Sequence, residues 1–140
     1  MARSIFVNSS GWLALYNPND PNHPAARALW EELRSQPVRF VTTDYVLDQV
    51  FTALKMFGSL QAAQAFNELV KRSSLMRLFM VDSVIFDRAW DIFVEDAPPH
   101  WTFTDCINYA VVKYLAVDEV FTFDPGFSAP GMVTIPVSSQ

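Results

Sequence analysis

Short apolar runs alternate along the chain with longer segments in which apolar residues recur every three or four positions. The short runs predict buried strands at residues 5–7, 39–42, 76–81 and 120–122. A further run at 132–137 predicts an edge strand, where Pro136 is tolerated because an edge position needs no ladder donor. The pattern therefore indicates a sheet of about five short strands.

The longer periodic segments predict the helices between these strands. They span residues 12–16, 24–36, 44–57, 60–71, 84–93 and 103–115. Thr43 or Asp44 is placed to cap the third helix and Gly58 to end it, while Asp82 precedes the fifth and Thr104 stands where the cap of the last should be. Proline-rich loops at 17–24 and 96–101 separate the remaining elements.

Alternating strands and helices are typical of an α/β fold. Continuous apolar strands suit a sheet covered on both faces, which predicts a three-layer domain with a mainly parallel sheet flanked by helices. With 140 residues, the chain fits a single domain, residues 1–140. Right-handed crossovers place the carboxyl ends of all parallel strands at one edge, where sites of open α/β sheets lie.

Composition narrows the class of protein. The single cysteine, Cys106, excludes an internal disulfide and a cysteine-rich zinc site, and the four glycines form no phosphate-binding loop. No apolar stretch approaches the roughly 20 residues of a membrane span, and the N-terminal residues lack an export signal, so a cytoplasmic protein without membrane contact is expected. The net charge of -5 argues only weakly against nucleic acid, because a carboxylate metal site is acidic until cations bind.

Polar side chains follow the predicted strands at the edge where a site is expected. Ordinary structural roles account for each one taken alone: Asp105 can cap a helix, Asp124 opens a turn, and Asp48 can face solvent. Carboxylates that converge from separate elements can also hold Mg²⁺. The polar set comprises Asn8, Ser9, Ser10, Asp44, Asp48, Gln49, Asp105 and Asp124.

Several of these segments, taken in order, resemble the PIN-domain family, in particular the VapC-type toxins of bacterial toxin–antitoxin pairs. The opening Phe-Val-Asn-Ser-Ser-Gly-Trp at 6–12 is similar to a strand that ends in Asp-Thr/Ser-Ser in that family. The segments 16–23, 42–49, 103–106 and 122–127 are similar to its first loop, a helix opening that normally ends in Glu, and two later acidic motifs. The resemblance spans about residues 4–136.

The resemblance implies a PIN-like fold and an endoribonuclease that uses Mg²⁺ or Mn²⁺ to cleave structured RNA such as tRNA or rRNA. The catalytic positions would be Asn8, Gln49, Asp105 and Asp124, with Asn8, Asp105 and Asp124 on the metal. Supporting roles around them fall to Ser10, Thr104, Thr122 and Asp48.

Two of the four positions hold the amide of the expected acid. An amide keeps the size but loses the charge, so Asn8 and Gln49 predict weaker cation binding and weak or silenced activity. Three explanations stay open: a natural binding protein, an active enzyme helped by Asp48 or Asp44, or substitutions that silence a toxic nuclease.

Two other functional classes compete with a nuclease. One is a PIN-fold pseudonuclease that binds RNA or protein without cleaving, and the other is a flavodoxin-like domain, which would not explain the ordered segments. The resemblance also implies a homodimer and an antitoxin partner, which the surplus aromatic residues between 79 and 101 would serve. His100 is close to Asp105 in sequence and is either a base, a ligand or a surface residue.

Overall fold

The computed structural model describes residues 2–137, so Met1 and residues 138–140, with both ends of the predicted 1–140 domain, lie outside the described part. Five strands form one sheet in the order β3-β2-β1-β4-β5, and every pairing between them is parallel. The strands are β1 (Arg3–Val7), β2 (Val38–Thr43), β3 (Met76–Phe79), β4 (Glu119–Phe121) and β5 (Thr134–Ile135). The predicted α/β fold with a mainly parallel sheet is confirmed.

Six helices flank this sheet in the described part of the chain. Thr43 and Gly58 occupy the predicted cap positions of the third helix, and Pro24 lies in the first turn of the second. The helices are α1 (Ser9–Tyr16), α2 (His23–Leu33), α3 (Asp44–Phe57), α4 (Leu60–Arg72), α5 (Ser83–Glu95) and α6 (Phe103–Tyr114). None of them is long and apolar enough to cross a bilayer.

An aromatic cluster fills much of the core on the side of α1. Trp12 is fully buried and packs edge-on against Trp30 and in a tilted arrangement against Phe66, with ring centroids 5.8 Å and 5.1 Å apart. Trp30 stacks in turn on Phe40 of β2 at 4.5 Å. These contacts fix α1 against α2, α4 and the sheet, so the turn that precedes α1 is held rigidly at the carboxyl end of β1.

Strand β1 lies at the centre of the sheet, between β2 and β4. Phe6 pairs with Val41 and Val7 with Phe121, so the three strands end close together at one edge. The helix that follows β1 crosses this edge at close range, because a Cβ added to Gly11 would lie 2.8 Å from the Phe121 carbonyl oxygen. Glycine is therefore required where α1 leaves the sheet.

Some predicted boundaries were wrong. Strand β3 ends at Phe79, two residues early, because the Val81 N–H donates to Asp44 Oδ1 instead of a strand neighbour. Strand β5 is confined to Thr134 and Ile135, which match the short β4. The predicted cap of α6 also moves: Thr102, not Thr104, accepts from the backbone N–H at N3.

Candidate functional site

A network of hydrogen bonds around Asn8, Ser10 and Thr122, which we call the knot, joins the carboxyl ends of β1 and β4. Asn8 caps α1, and its Nδ2 donates to Thr122 Oγ1 at 2.8 Å. Ser10 Oγ donates to Asn8 Oδ1 at 2.7 Å and lies 3.1 Å from Thr122 Oγ1. The backbone N–H of Phe123 donates to Ser10 Oγ at 2.9 Å. The structure thus brings together three of the predicted site residues, Asn8, Ser10 and Thr122.

The donors and acceptors of this knot allow one consistent assignment. Thr122 Oγ1 accepts from Asn8 Nδ2 and from the Asp124 N–H at 3.0 Å, so its own hydrogen points to Ser10 Oγ. Asn8 Oδ1 accepts from Ser10 and from the Gly11 N–H at 3.3 Å. Asn8 is only 4% exposed, and the knot uses it as a neutral amide.

Asp124 follows the knot directly and begins a tight turn. Its Oδ1 accepts from the Gly126 N–H at 2.9 Å, an Asx-type turn that leaves Oδ2 to face outward from an exposed side chain. The turn predicted for the Asp-Pro-Gly sequence is therefore present. This turn orients the Asp124 carboxylate beside the carboxyl end of β4 and uses only one of its two oxygens as an acceptor.

The loop before α6 is tied to this same turn. The Gly126 carbonyl accepts from Trp101 Nε1 at 2.8 Å and lies 2.9 Å from His100 Nε2, and the Trp101 and Phe127 rings stack with centroids 5.4 Å apart. His100 therefore has a structural contact on an exposed loop. These bonds hold the start of α6, which carries Asp105, against the turn of Asp124.

Asp105 stands at the third position of α6 in a reciprocal capping box. Its Oδ2 accepts from the Thr102 N–H at 2.9 Å, and its own N–H donates to Thr102 Oγ1 at 3.1 Å. The side chain is half-buried, as is that of Thr104, and Oδ1 has no hydrogen bond to the described residues. Burial, and secondarily the charge of Asp105, raise the pKa of the neighbouring Cys106 thiol, which stays protonated at neutral pH.

The candidate site residues on α3 take no part in the hydrogen bonds of the knot. Helix α3 packs against α1 and α6, which brings it to the same edge. Gln49 and Asp48 are exposed on it, and within residues 2–137 neither side chain hydrogen-bonds to the knot or to the two aspartates. Asp44 instead secures the end of β3 through Val81.

Comparison with known proteins agrees with this geometry. The profile of the PIN domain matches residues 5–131. The chain belongs to the PIN-domain family. It is 30% identical over 131 residues to the 23S rRNA-specific endonuclease VapC20 of Mycobacterium tuberculosis, covering 94% of this chain and 97% of that protein. The resemblance to VapC-type toxins is therefore confirmed.

Solved structures show the same relationship. The crystal structure of Mycobacterium tuberculosis VapC20, described as a Sarcin-Ricin loop cleaving toxin, superimposes with a TM-score of 0.81 at 31% identity and covers 92% of this chain and 96% of that one. A toxin–antitoxin complex from Klebsiella pneumoniae has a TM-score of 0.66 at 16% identity, covering 93% of this chain and 96% of that one. The second likeness concerns the PIN fold alone.

The donor set of this PIN domain fits a divalent cation only weakly. Within residues 2–137, no three His, Cys, Asp or Glu side chains gather into a possible metal site. Asp105 and Asp124 each keep one carboxylate oxygen outside the local hydrogen bonds, whereas Asn8 Oδ1 already accepts two. Two carboxylates supply half the charge of the four-acid site that the resemblance implies.

Sequence reasoning missed several residues that shape this site. Thr102 and Asp105 carry a recognisable capping signal, a threonine three residues before an acid, which the prediction of a cap at Thr104 leaves out. Trp101 gave no signal of its contact with Gly126, because that bond joins distant segments. Asn108 is fully enclosed in α6, and its Oδ1 is the one buried side-chain polar atom of the described residues without a hydrogen-bond partner.

Proposed function

We propose that this PIN domain is a VapC-type endoribonuclease whose cleavage site is attenuated by the amides at positions 8 and 49, with structured ribosomal RNA as its substrate class. The similarity to VapC20, named as a 23S rRNA-specific endonuclease, over almost the whole of both chains carries the proposal. The placement of Asn8 and Asp124 on either side of one knot supports it. Transfer RNA is the second substrate to be tested.

Mg²⁺ or Mn²⁺ is the proposed cofactor, held by Asp105 and Asp124. When bound, such a cation lowers the pKa of a water molecule for attack on a phosphodiester and offsets charge on the leaving oxygen. The turn at Gly126 and the capping box at Thr102 fix the two carboxylates before any cation arrives. Position 8 contributes a free oxygen only when the residue is aspartate, because both acceptor sites of the Asn8 carbonyl are already occupied.

The decisive experiment compares this chain with its Asn8→Asp/Gln49→Glu variant on a mixed pool of tRNA and rRNA in Mg²⁺ and in Mn²⁺. We expect cleavage by the double variant at a rate at least 100-fold above that of the unaltered chain, since an electrostatic group at a reacting centre contributes about 10²–10³. Adding Asp124→Asn to that variant should abolish cleavage. Adding Asp87→Asn, an exposed acid on α5, is the matched control and should change nothing.

A specific observation favours a second function, a pseudonuclease that binds RNA without cleaving it. When position 8 is an amide, every acceptor in the knot is paired with a donor. The hydrogen bonds therefore suit a neutral group at position 8. RNA binding without cleavage by either chain, even at millimolar Mn²⁺, would select this function.

We propose the partners and the location on the basis of the same family. A cytoplasmic toxin regulated by an antitoxin protein is proposed, because the VapC20 structure is described as that of a toxin. We also propose a homodimer. The outer face of α5 supports it, since this face leaves large apolar side chains exposed, which we call the α5 stripe: Phe86, Trp90, Phe93 and Val94.

A further inference from the structure

A cleft of about 600 Å³ opens directly beside the Asp124 turn. Thr122 and Asp124 belong both to the candidate site and to the wall of this cleft. The start of α2 also lines this cleft, with Asn22 and Ala25. Any strand of substrate whose phosphate reached Asp124 would place a neighbouring nucleotide at this opening.

The lining of the cleft has a definite chemical character. Phe123 and Pro125 provide accessible apolar surface over the buried Phe127 ring, and Asn22, Ser128 and Thr134 provide uncharged hydrogen-bonding groups. Asp124 is the only charged residue among the described residues that line it, and no lysine or arginine takes part. A wall without a cation does not suit a phosphate, whereas flat apolar surface with neutral polar groups suits a nucleobase.

The side-chain amide of Asn22 does not cap its helix. Asn22 occupies the N-cap position of α2, where asparagine ordinarily accepts from the backbone, yet its side chain makes no capping hydrogen bond. The amide is exposed and borders the cleft instead. One amide offers a donor and an acceptor side by side, which matches the adjacent donor and acceptor on the edge of a base.

We propose that this cleft is a nucleobase subsite, which seats an unpaired base of the RNA next to the scissile phosphate, with Asn22 binding the edge of that base. The inference rests on the proposed function and deepens it by naming a specificity residue. An unpaired base is required because bases within an RNA duplex present their edges to grooves that side chains enter poorly. The subsite therefore directs cleavage to loops and bulges of structured RNA.

The test uses the unaltered chain and a fluorescein-labelled RNA stem-loop with a six-nucleotide loop, together with six versions that each lack one loop base. Removal of one particular base should raise the Kd about 5- to 100-fold, the range for loss of a single stacked and hydrogen-bonded base. Asn22→Ala should raise the Kd for the intact loop about 5- to 20-fold, as expected for one lost hydrogen-bonding group. It should leave the Kd of that one abasic RNA unchanged, because the two changes remove the same contact.

Asn19→Ala is the matched control, since Asn19 is an exposed asparagine of the same loop that does not line the cleft. It should bind every RNA as the unaltered chain does. Equal binding of all six abasic RNAs, or equal loss in Asn19→Ala and Asn22→Ala, would overturn the subsite.

The same variants in the Asn8→Asp/Gln49→Glu background separate the two proposals. Cleavage that is indifferent to Asn22→Ala would overturn the subsite and leave the ribonuclease assignment standing. Absence of both RNA binding and cleavage in every variant would overturn both.

Discussion

At the scale of a single residue, Asn8, which we propose as a catalytic position, has a structural role in capping α1 and bonding Thr122. Replacing it with aspartate removes the Nδ2 donor to Thr122 and places a charge on a side chain that is 4% exposed. Asn8→Asp should therefore lower the free energy of unfolding by about 1–3 kcal/mol, the cost of a lost buried hydrogen bond and of desolvation. Urea denaturation in EDTA measures this.

Millimolar Mn²⁺ should restore most of that loss in Asn8→Asp and little in the unaltered chain, because a ligand that binds only the folded state stabilises it. Asn19→Asp, on the exposed loop, is the control and should respond to neither condition. Equal stability of the chain and Asn8→Asp in EDTA would contradict the predicted loss and show that the Thr122 hydroxyl turns to donate to the carboxylate at position 8.

Asn108 is the second residue with an unusual environment. Its Oδ1 is buried without a partner among the described residues, one helical turn after Asp105. A buried unpaired carbonyl costs about 1–3 kcal/mol, so Asn108→Leu, which keeps the branched arrangement of heavy atoms, should raise the free energy of unfolding by about 1 kcal/mol or more. Guanidinium denaturation tests this; a marked decrease would show that the amide holds a bound water or another group.

The elements show which parts of the fold local sequence can predict. Apolar runs identified all five strands and the order of strands and helices, since burial on both faces leaves a signal in each strand. The cap of α6 was misplaced because Thr102 and Thr104 have equal propensity as single residues; the acid three residues after Thr102, whose carboxylate accepts from the Thr102 N–H, distinguishes them. The ties of Trp101 to Gly126 and of Asn8 to Thr122 join residues far apart in sequence, which no local pattern reveals.

At the scale of the elements, the attachment of the α6–β4 connection to β1 depends on pH, because a carboxylate makes it. Asp118 Oδ2 accepts from the Ser4 N–H at 2.8 Å and from Ser4 Oγ at 3.1 Å, which fastens this connection to β1. These bonds, with a smaller contribution from Arg3, hold the pKa of Asp118 below its ordinary value. A depressed folded-state pKa adds stability above the unfolded value of about 4 and loses it as pH falls through the folded value.

Asp118→Asn should accordingly be less stable than the unaltered chain at pH 7, and the difference should shrink as the pH falls below about 4 and through the lowered folded-state pKa of Asp118. Thermal unfolding from pH 7 to pH 2.5 measures it. Asp87→Asn on exposed α5 provides the comparison. A destabilisation of Asp118→Asn that stays constant over this range would mean that lost packing, not the charge, is responsible.

At the scale of the whole molecule, the α5 stripe is an exposed apolar surface that the core does not need. The rings of the α5 stripe contact one another and Phe103, with Trp90 and Phe93 centroids 5.9 Å apart and Phe93 and Phe103 5.7 Å apart, yet Trp90 remains 54% exposed. A monomer seldom leaves such a patch in water, and aromatic residues are typical anchors of interfaces. The proposed homodimer would cover it.

Trp90→Glu should convert that dimer to a monomer, because the substitution replaces an aromatic anchor with a charge. Sedimentation velocity at about 20 µM would then give half the mass of the unaltered chain, and hot-spot truncations of 2 kcal/mol or more imply a Kd at least about 30-fold weaker. Phe57→Glu is the matched control: Phe57 is 74% exposed, but it ends α3, away from the stripe, and its loss should not change the mass. A monomeric mass for the unaltered chain would contradict the homodimer, and the stripe would then be free in the toxin and available to the antitoxin.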